Sequence, residues 1–197
     1  MEAFMSSAAA RTHLTPEEYL SFERKATTKH EYLKGQIIAM SGASRVHSFI
    51  TGDIFGELRD QLKGHKCEVH SSDMRVRIHS TNTYFYPDVV VACEEPQFED
   101  NIFDTLLNPR VVIEVLSPAT EAYDRGEKFE FYQQLDSLQE YLLVSQDQIS
   151  VEHYRRQNTE WLESEYRELD DVVMLRSIEC ELRLQDIYAR TEFALNM

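Results

Sequence analysis

The residues best suited to chemistry in this chain are two carboxylates set into apolar runs. Asp88 follows a proline at the head of Tyr86-Pro87-Asp88-Val89-Val90-Val91, and Glu114 stands inside Val111-Val112-Ile113-Glu114-Val115-Leu116. An ionised carboxylate in a β-type apolar stretch is costly to bury unless a cation or a hydrogen-bond donor meets it. Two of them, on strands close enough in sequence to be neighbours, point to a metal ion between them. Hard cations such as Mg2+ and Mn2+ take carboxylate and carbonyl oxygens and keep several waters that a phosphate can replace. A strand-end backbone carbonyl, here that of Val115, would complete the set. Lys128 follows on the next expected helix, where an ammonium can orient an attacking water or offset charge growing on phosphorus.

Each of these residues also has a plain structural reading. Pro87-Asp88 can be a strand-start turn, Glu114 a solvent-facing residue on a half-exposed strand, and Lys128 a solvated helix lysine. Glu31, after the first helix, would reach a metal through water or lie on the surface beside His30. His47, at the start of the second helix, reads as a capping or packing residue. Tyr132, Tyr154, Trp161 and Tyr166 read as core. Ser41 and Ser117 have no nucleophile elbow around them, and no Gly-rich phosphate loop is present. These absences count against a serine hydrolase, a kinase and a nucleotide-driven motor.

The elements that would position these groups follow from periodicity. Thr15-Pro16-Glu17-Glu18 reads as a capping box opening a helix that runs to about residue 27. Two short strands turn at Lys34-Gly35. Val46, Ile50, Ile54, Leu58 and Leu62 recur every fourth residue and predict an amphipathic helix ended by Gly64. Within it, Gly52 and Gly56 are expected to admit a close backbone contact. The period then changes to two, and Cys67 to Ile78 predicts one long, bulged strand. Strands at about 84–93 and 110–117 flank an acidic loop, 94–109, and a helix covers about 121–136. A hairpin of about 139–145 and 149–156, strands near 161–167 and 172–175, and a short segment over 184–189 close the chain. This order gives an α/β or α+β fold with a mixed sheet.

At 197 residues the chain is long enough for one domain with a real core, expected over 14–197 behind a loose tail at 1–13. The tail has neither the basic start nor the apolar centre of a signal peptide, and no run is long enough for a membrane helix, so a cytoplasmic protein is expected. Cys67, Cys93 and Cys180 form no metal-binding spacing and read as buried reduced thiols. The net charge of −15 counts against a nucleic-acid partner, since phosphate neutralisation supplies much of such binding. A bound divalent ion would reverse the sign locally.

Taken together, several runs resemble one bacterial family. These are His30-Glu31-Tyr32-Leu33-Lys34-Gly35-Gln36-Ile37, Arg45-Val46-His47, Tyr86 to Val91, Ile113-Glu114-Val115-Leu116-Ser117-Pro118 and Gly126-Glu127-Lys128-Phe129-Glu130-Phe131-Tyr132. In this order and spacing they resemble the Uma-two family of the PD-(D/E)XK nuclease superfamily, over roughly Thr15 to Tyr188. The resemblance implies a restriction-endonuclease-like core: a central mixed sheet flanked by helices, with extra C-terminal antiparallel strands and a divalent-metal site at one end. It assigns metal ligation to Asp88, Glu114 and the Val115 carbonyl, catalysis to these carboxylates with Lys128 and Glu31, and an accessory role to His47. Where the superfamily's usual motif has a lysine two residues after the glutamate, this chain has Leu116, and Lys128 is the family's substitute. The expected activity is Mg2+- or Mn2+-dependent hydrolysis of DNA phosphodiester bonds, with no DNA-binding residues assigned. The alternatives are a nuclease fold serving as an interaction or dimerisation module, and a phosphodiesterase acting on small nucleotides. A homodimer is expected only by analogy with nucleases of this fold.

Overall fold

The computed structural model describes residues 13–195. Apart from His13, the expected tail lies outside the described residues. The elements run α1 (Pro16–Glu23), β1 (His30–Leu33), β2 (Gln36–Ala39), α2 (Arg45–Gln61), β3 (Cys67–Ser71), β4 (Arg75–Ile78), β5 (Thr83–Phe85), β6 (Val89–Cys93), β7 (Thr105–Leu106) and β8 (Val111–Leu116). There follow α3 (Glu121–Arg125), α4 (Glu127–Tyr132), β9 (Glu140–Ser145), β10 (Val151–Gln157), β11 (Glu160–Tyr166), β12 (Val172–Leu175), β13 (Cys180–Arg183), α5 (Leu184–Ile187) and α6 (Glu192–Leu195).

The central sheet has six strands in the order β11-β10-β9-β8-β6-β3. It is mixed: β8 and β9 are parallel, joined by the α3–α4 crossover, while the other pairs are antiparallel. Strand β8 is buried along its whole length. Its odd residues Val111, Ile113 and Val115 pack with Ile50, Ile54 and Leu58 of α2. Its even residues Val112 and Leu116 pack on the opposite face with Phe129 and Tyr132 of α4 and with Phe85 of β5. A second sheet, β2-β1-β5-β4-β7, lies on that second face, and β12 and β13 form a separate hairpin.

The capping box at Thr15 and Glu18 forms as the sequence requires, although α1 ends at Glu23 and not near residue 27. The β1–β2 turn puts both Lys34 and Gly35 at positive φ, as a two-residue hairpin of type I′ needs. Other expectations need correcting. The single strand expected over 67–78 is two, β3 and β4, in different sheets, parted by a turn in which the Met74 amide donates to the Ser71 carbonyl. The strand expected over 84–93 also breaks, because Pro87 has no N–H to give a ladder and lets the chain pass from one sheet to the other. The helix over 121–136 breaks at Gly126, with φ −108° and ψ −104°, and ends at Tyr132. Strand β7 interrupts the expected acidic loop, and β13 adds a strand in the C-terminal hairpin. A Cβ at Gly52 or Gly56 would meet nothing within 4 Å, so neither glycine serves a close approach.

The cysteines also differ from expectation. The β3–β6 register sets Cys67 directly opposite Cys93, and the two form a disulfide. A separation of 26 residues gives no hint of that register. Cys180 is buried and free. Thiol titration of the unfolded, unreduced protein should therefore find one reactive thiol per chain, and three would contradict the pairing.

Candidate active site

The break at Pro87 is what builds the site. The β6–β8 register pairs Val89 with Ile113, so one further step sets Asp88 opposite Glu114. Asp88 accepts the Val115 amide on Oδ2 at 2.8 Å. The N–H and C=O of a strand residue point toward the same neighbour, so the Val115 carbonyl also faces this strand. Pro87, just before Asp88, has no N–H to offer it.

Tyr86 fixes the approach to that break. Its hydroxyl donates to Glu23 Oε1 at 3.1 Å and accepts from Arg75 Nη1 at 3.2 Å, both residues being buried. Its amide donates to Glu31 Oε1 at 3.4 Å. Glu31 thus reaches the site from β1 in the second sheet.

Glu114 is the polar interruption on the Val112–Leu116 face of β8, the face that α4 covers. Lys128 on α4 places its Nζ 2.8 Å from Glu114 Oε1, 3.3 Å from Glu31 Oε1 and 3.4 Å from Asp124 Oδ1. The Tyr132 hydroxyl donates to Glu114 Oε1 at 3.3 Å. The side chains of Lys128, Glu114 and Asp124 are only 5–7% exposed. Leu116 fills the place of the usual strand lysine and packs in the core, while the helical lysine reaches the glutamate from above.

From α2, His47 Nε2 lies 3.2 Å from Asp88 Oδ2. The Ser44 hydroxyl that caps this helix accepts the His47 amide, holding the residue in the first turn. All six residues selected from the sequence therefore meet at one end of the central sheet: Asp88, Glu114, Val115, Lys128, Glu31 and His47. Asp124 was missed, although its spacing of four from Lys128 on a helix is a recognisable pairing signal. Tyr132 is core as expected, and it also touches the site.

The electrostatics are those of a pocket short of positive charge. At Glu114, burial and the Asp124 and Asp88 charges work against the ionised carboxylate, and the Lys128 ammonium 2.8 Å away works for it. Burial works against the Lys128 ammonium, but the Glu114 and Glu31 charges outweigh it and raise its pKa. For His47, burial is likewise outweighed by the hydrogen bond and charge of Asp88, and its pKa rises above 6.5.

Do these residues suit a hard divalent ion? The donors are carboxylate and carbonyl oxygens, as such an ion prefers. The contacts described fall on Oδ2 of Asp88 and on Oε1 of Glu114. The Val115 carbonyl lies within reach of the His47 ring, which hydrogen-bonds to the Val115 backbone. Among the described residues no three or more His, Cys, Asp or Glu side chains form a ready-made metal cage. Two carboxylates and a carbonyl, with water filling the rest, suit Mg2+ or Mn2+ and not zinc.

Comparison with known proteins agrees with this architecture. The sequence profile of the Uma2 family, described as "Putative restriction endonuclease", matches residues 16–186. The chain belongs to the Uma2 family. Two relatives from Synechocystis sp. (strain ATCC 27184 / PCC 6803 / Kazusa) bear the names uncharacterized protein slr1290 and uncharacterized protein sll1609. The first is 39% identical over 189 residues, covering 95% of this chain and 98% of the relative. The second is 40% identical over 162 residues, covering 82% and 92%. The crystal structure of a "putative nuclease belonging to DUF820" from Anabaena variabilis ATCC 29413 superposes with a TM-score of 0.74 at 20% identity, over 89% of this chain and 98% of that one. The likeness establishes that the two chains share a fold. No helix of the described residues is long and apolar enough to cross a membrane.

The His47–Asp88 pair makes a prediction. A raised folded-state pKa means the native protein binds the proton more tightly than the unfolded chain. Its contribution is fully present below the unfolded value of 6.5 and is lost as pH rises through the folded value. His47→Ala should lower the melting temperature more at about pH 6 than at about pH 9. Equal losses at both would show that the pair carries no proton-linked stability.

Proposed function

We propose that this Uma2 protein is a divalent-metal-dependent endonuclease that hydrolyses DNA phosphodiester bonds. The observation that supports it most is the meeting of Asp88, Glu114 and Lys128 beneath the two-sheet junction, in the donor types a hard cation and a phosphate require. Asp88, Glu114 and the Val115 carbonyl would hold Mg2+ or Mn2+. Such an ion, when bound, supplies an activated water and neutralises phosphate charge.

The chain's own residues do the rest. Lys128 lies against three carboxylates, so it serves as donor and counter-charge, orienting water and offsetting charge on the phosphorus. Glu31 ties the second sheet to the site and keeps Lys128 in line. His47 orients Asp88 through Oδ2, and the Val115 amide fixes the same carboxylate from the strand side. The local cation also answers the repulsion that a chain of net charge −15 would exert on DNA.

A second reading rests on the same net charge and on Leu116: a nuclease fold kept as an interaction module. The two are separated by experiment. The wild type should nick supercoiled plasmid with Mg2+ or Mn2+ and release or absorb heat on Mn2+ titration. Asp88→Asn should remove that heat and cut nicking by about 10²-fold or more while the fold survives. A wild type that gives no nicking across a range of salt would remove the enzyme reading, and one without Mn2+ heat would favour the module.

A further inference from the structure

Asp124 lies in none of the runs that carry the family resemblance, yet it is one of three carboxylates on the Lys128 ammonium. It differs from the other two in origin. Glu114 and Glu31 belong to the two sheets, and Glu114 is claimed by a metal in the function proposed above. Asp124 lies four residues before Lys128, in the same α3–α4 crossover. It is 4% exposed, and its backbone carbonyl accepts the Tyr141 hydroxyl at 3.0 Å, which pins α3 to β9.

The pair spans the break at Gly126 between α3 and α4. A Cβ there would stand 3.2 Å from the Ala122 carbonyl oxygen, so the chain turns sharply between α3 and α4. Asp124 and Lys128 are thereby presented together beneath Tyr141 and Glu114. An ion held by the other Glu114 oxygen would draw charge from the carboxylate and weaken the ammonium's shortest contact, which is to Oε1. A lysine then faces a divalent cation, and Coulomb repulsion would drive it off the site unless a carboxylate from its own segment holds it.

We propose that Asp124 is a positioning residue: it retains Lys128, charged and aimed at the reacting phosphate, when the metal takes Glu114. The inference rests on the metal-nuclease function proposed above, and it adds a residue that acts only through Lys128. Displacement of a catalytic group by about 1 Å costs on the order of 10²-fold in rate, which sets the size of the effect.

The test is a cycle of Asp124→Asn, Lys128→Met and the double variant, with Asp124→Glu as the conservative control. Each protein is read by Mn2+ calorimetry, by melting with and without Mn2+, and by plasmid nicking. Asp124→Asn should bind Mn2+ as the wild type does and nick about 10- to 100-fold more slowly, and the double variant should be no slower than Lys128→Met. Asp124→Glu should recover part of the rate. The melting shift caused by Asp124→Asn should be larger with Mn2+ than without, and absent in the Lys128→Met background.

Loss of Mn2+ binding in Asp124→Asn would overturn the proposal by making Asp124 a ligand. Additive losses in the double variant, or a melting shift independent of Mn2+, would overturn it as well by making the role merely structural. If the wild type binds Mn2+ but nicks nothing, the nuclease function fails while the Mn2+-dependent melting shift still supports or overturns the role of Asp124. A wild type that binds no Mn2+ overturns both. Should Asp124→Asn fail to fold, Asp124→Glu carries the same binding and melting comparisons.

Discussion

The structure turns on a single buried ammonium. Lys128 is almost fully enclosed, and three carboxylates from three separate elements converge on it. Stranding one partner of such a group would leave an uncompensated charge in a low-dielectric interior, at a cost of about 3–5 kcal/mol. The three contacts tie β1, β8 and the α3–α4 segment together at one point. The surrounding core explains why the penalty is met in full. Val112, Leu116, Phe129, Tyr132 and Tyr141 exclude water on the face where Glu114 emerges.

The second constraint is the proline before Asp88. A continuous strand would have buried Asp88 in a ladder with no role beyond packing. The missing N–H at Pro87 ends the pairing there, transfers the chain between sheets, and leaves a side-chain oxygen to accept the Val115 amide. Tyr86, gripped at both its hydroxyl and its amide, keeps that transition from wandering. Stability and function are coupled here through the same few groups: the residues that close the gap between sheets are those that face the site.

Much of this was legible in the sequence, for identifiable reasons. Glu114 stood out because the apolar residues on either side of it look buried on both faces, which sits poorly with a solvent-facing glutamate, and the strand is indeed buried along its length. The fourfold stripe of α2 and the capping box of α1 are local signals, and they held. What failed was non-local. The breaks at Ser72-Asp73 and Pro87 depend on which sheet each half joins, and alternation alone cannot distinguish one bent strand from two. The disulfide required the β3–β6 register. Asp124 carried a local signal, but only the burial of Lys128 gives that spacing its weight, since such pairs on exposed helices are common and weak.

The central claim is that Asp88 and Glu114 converge on one hard cation with the Lys128 ammonium beside it. Anomalous diffraction at the manganese edge, from crystals soaked in Mn2+, tests this most directly. The account predicts one peak between the two carboxylates, at about 2.1–2.3 Å from an oxygen of each and from the Val115 carbonyl, with Lys128 still in contact with Asp124. A peak elsewhere, or no peak with Glu114 still bonded to Lys128, would contradict it.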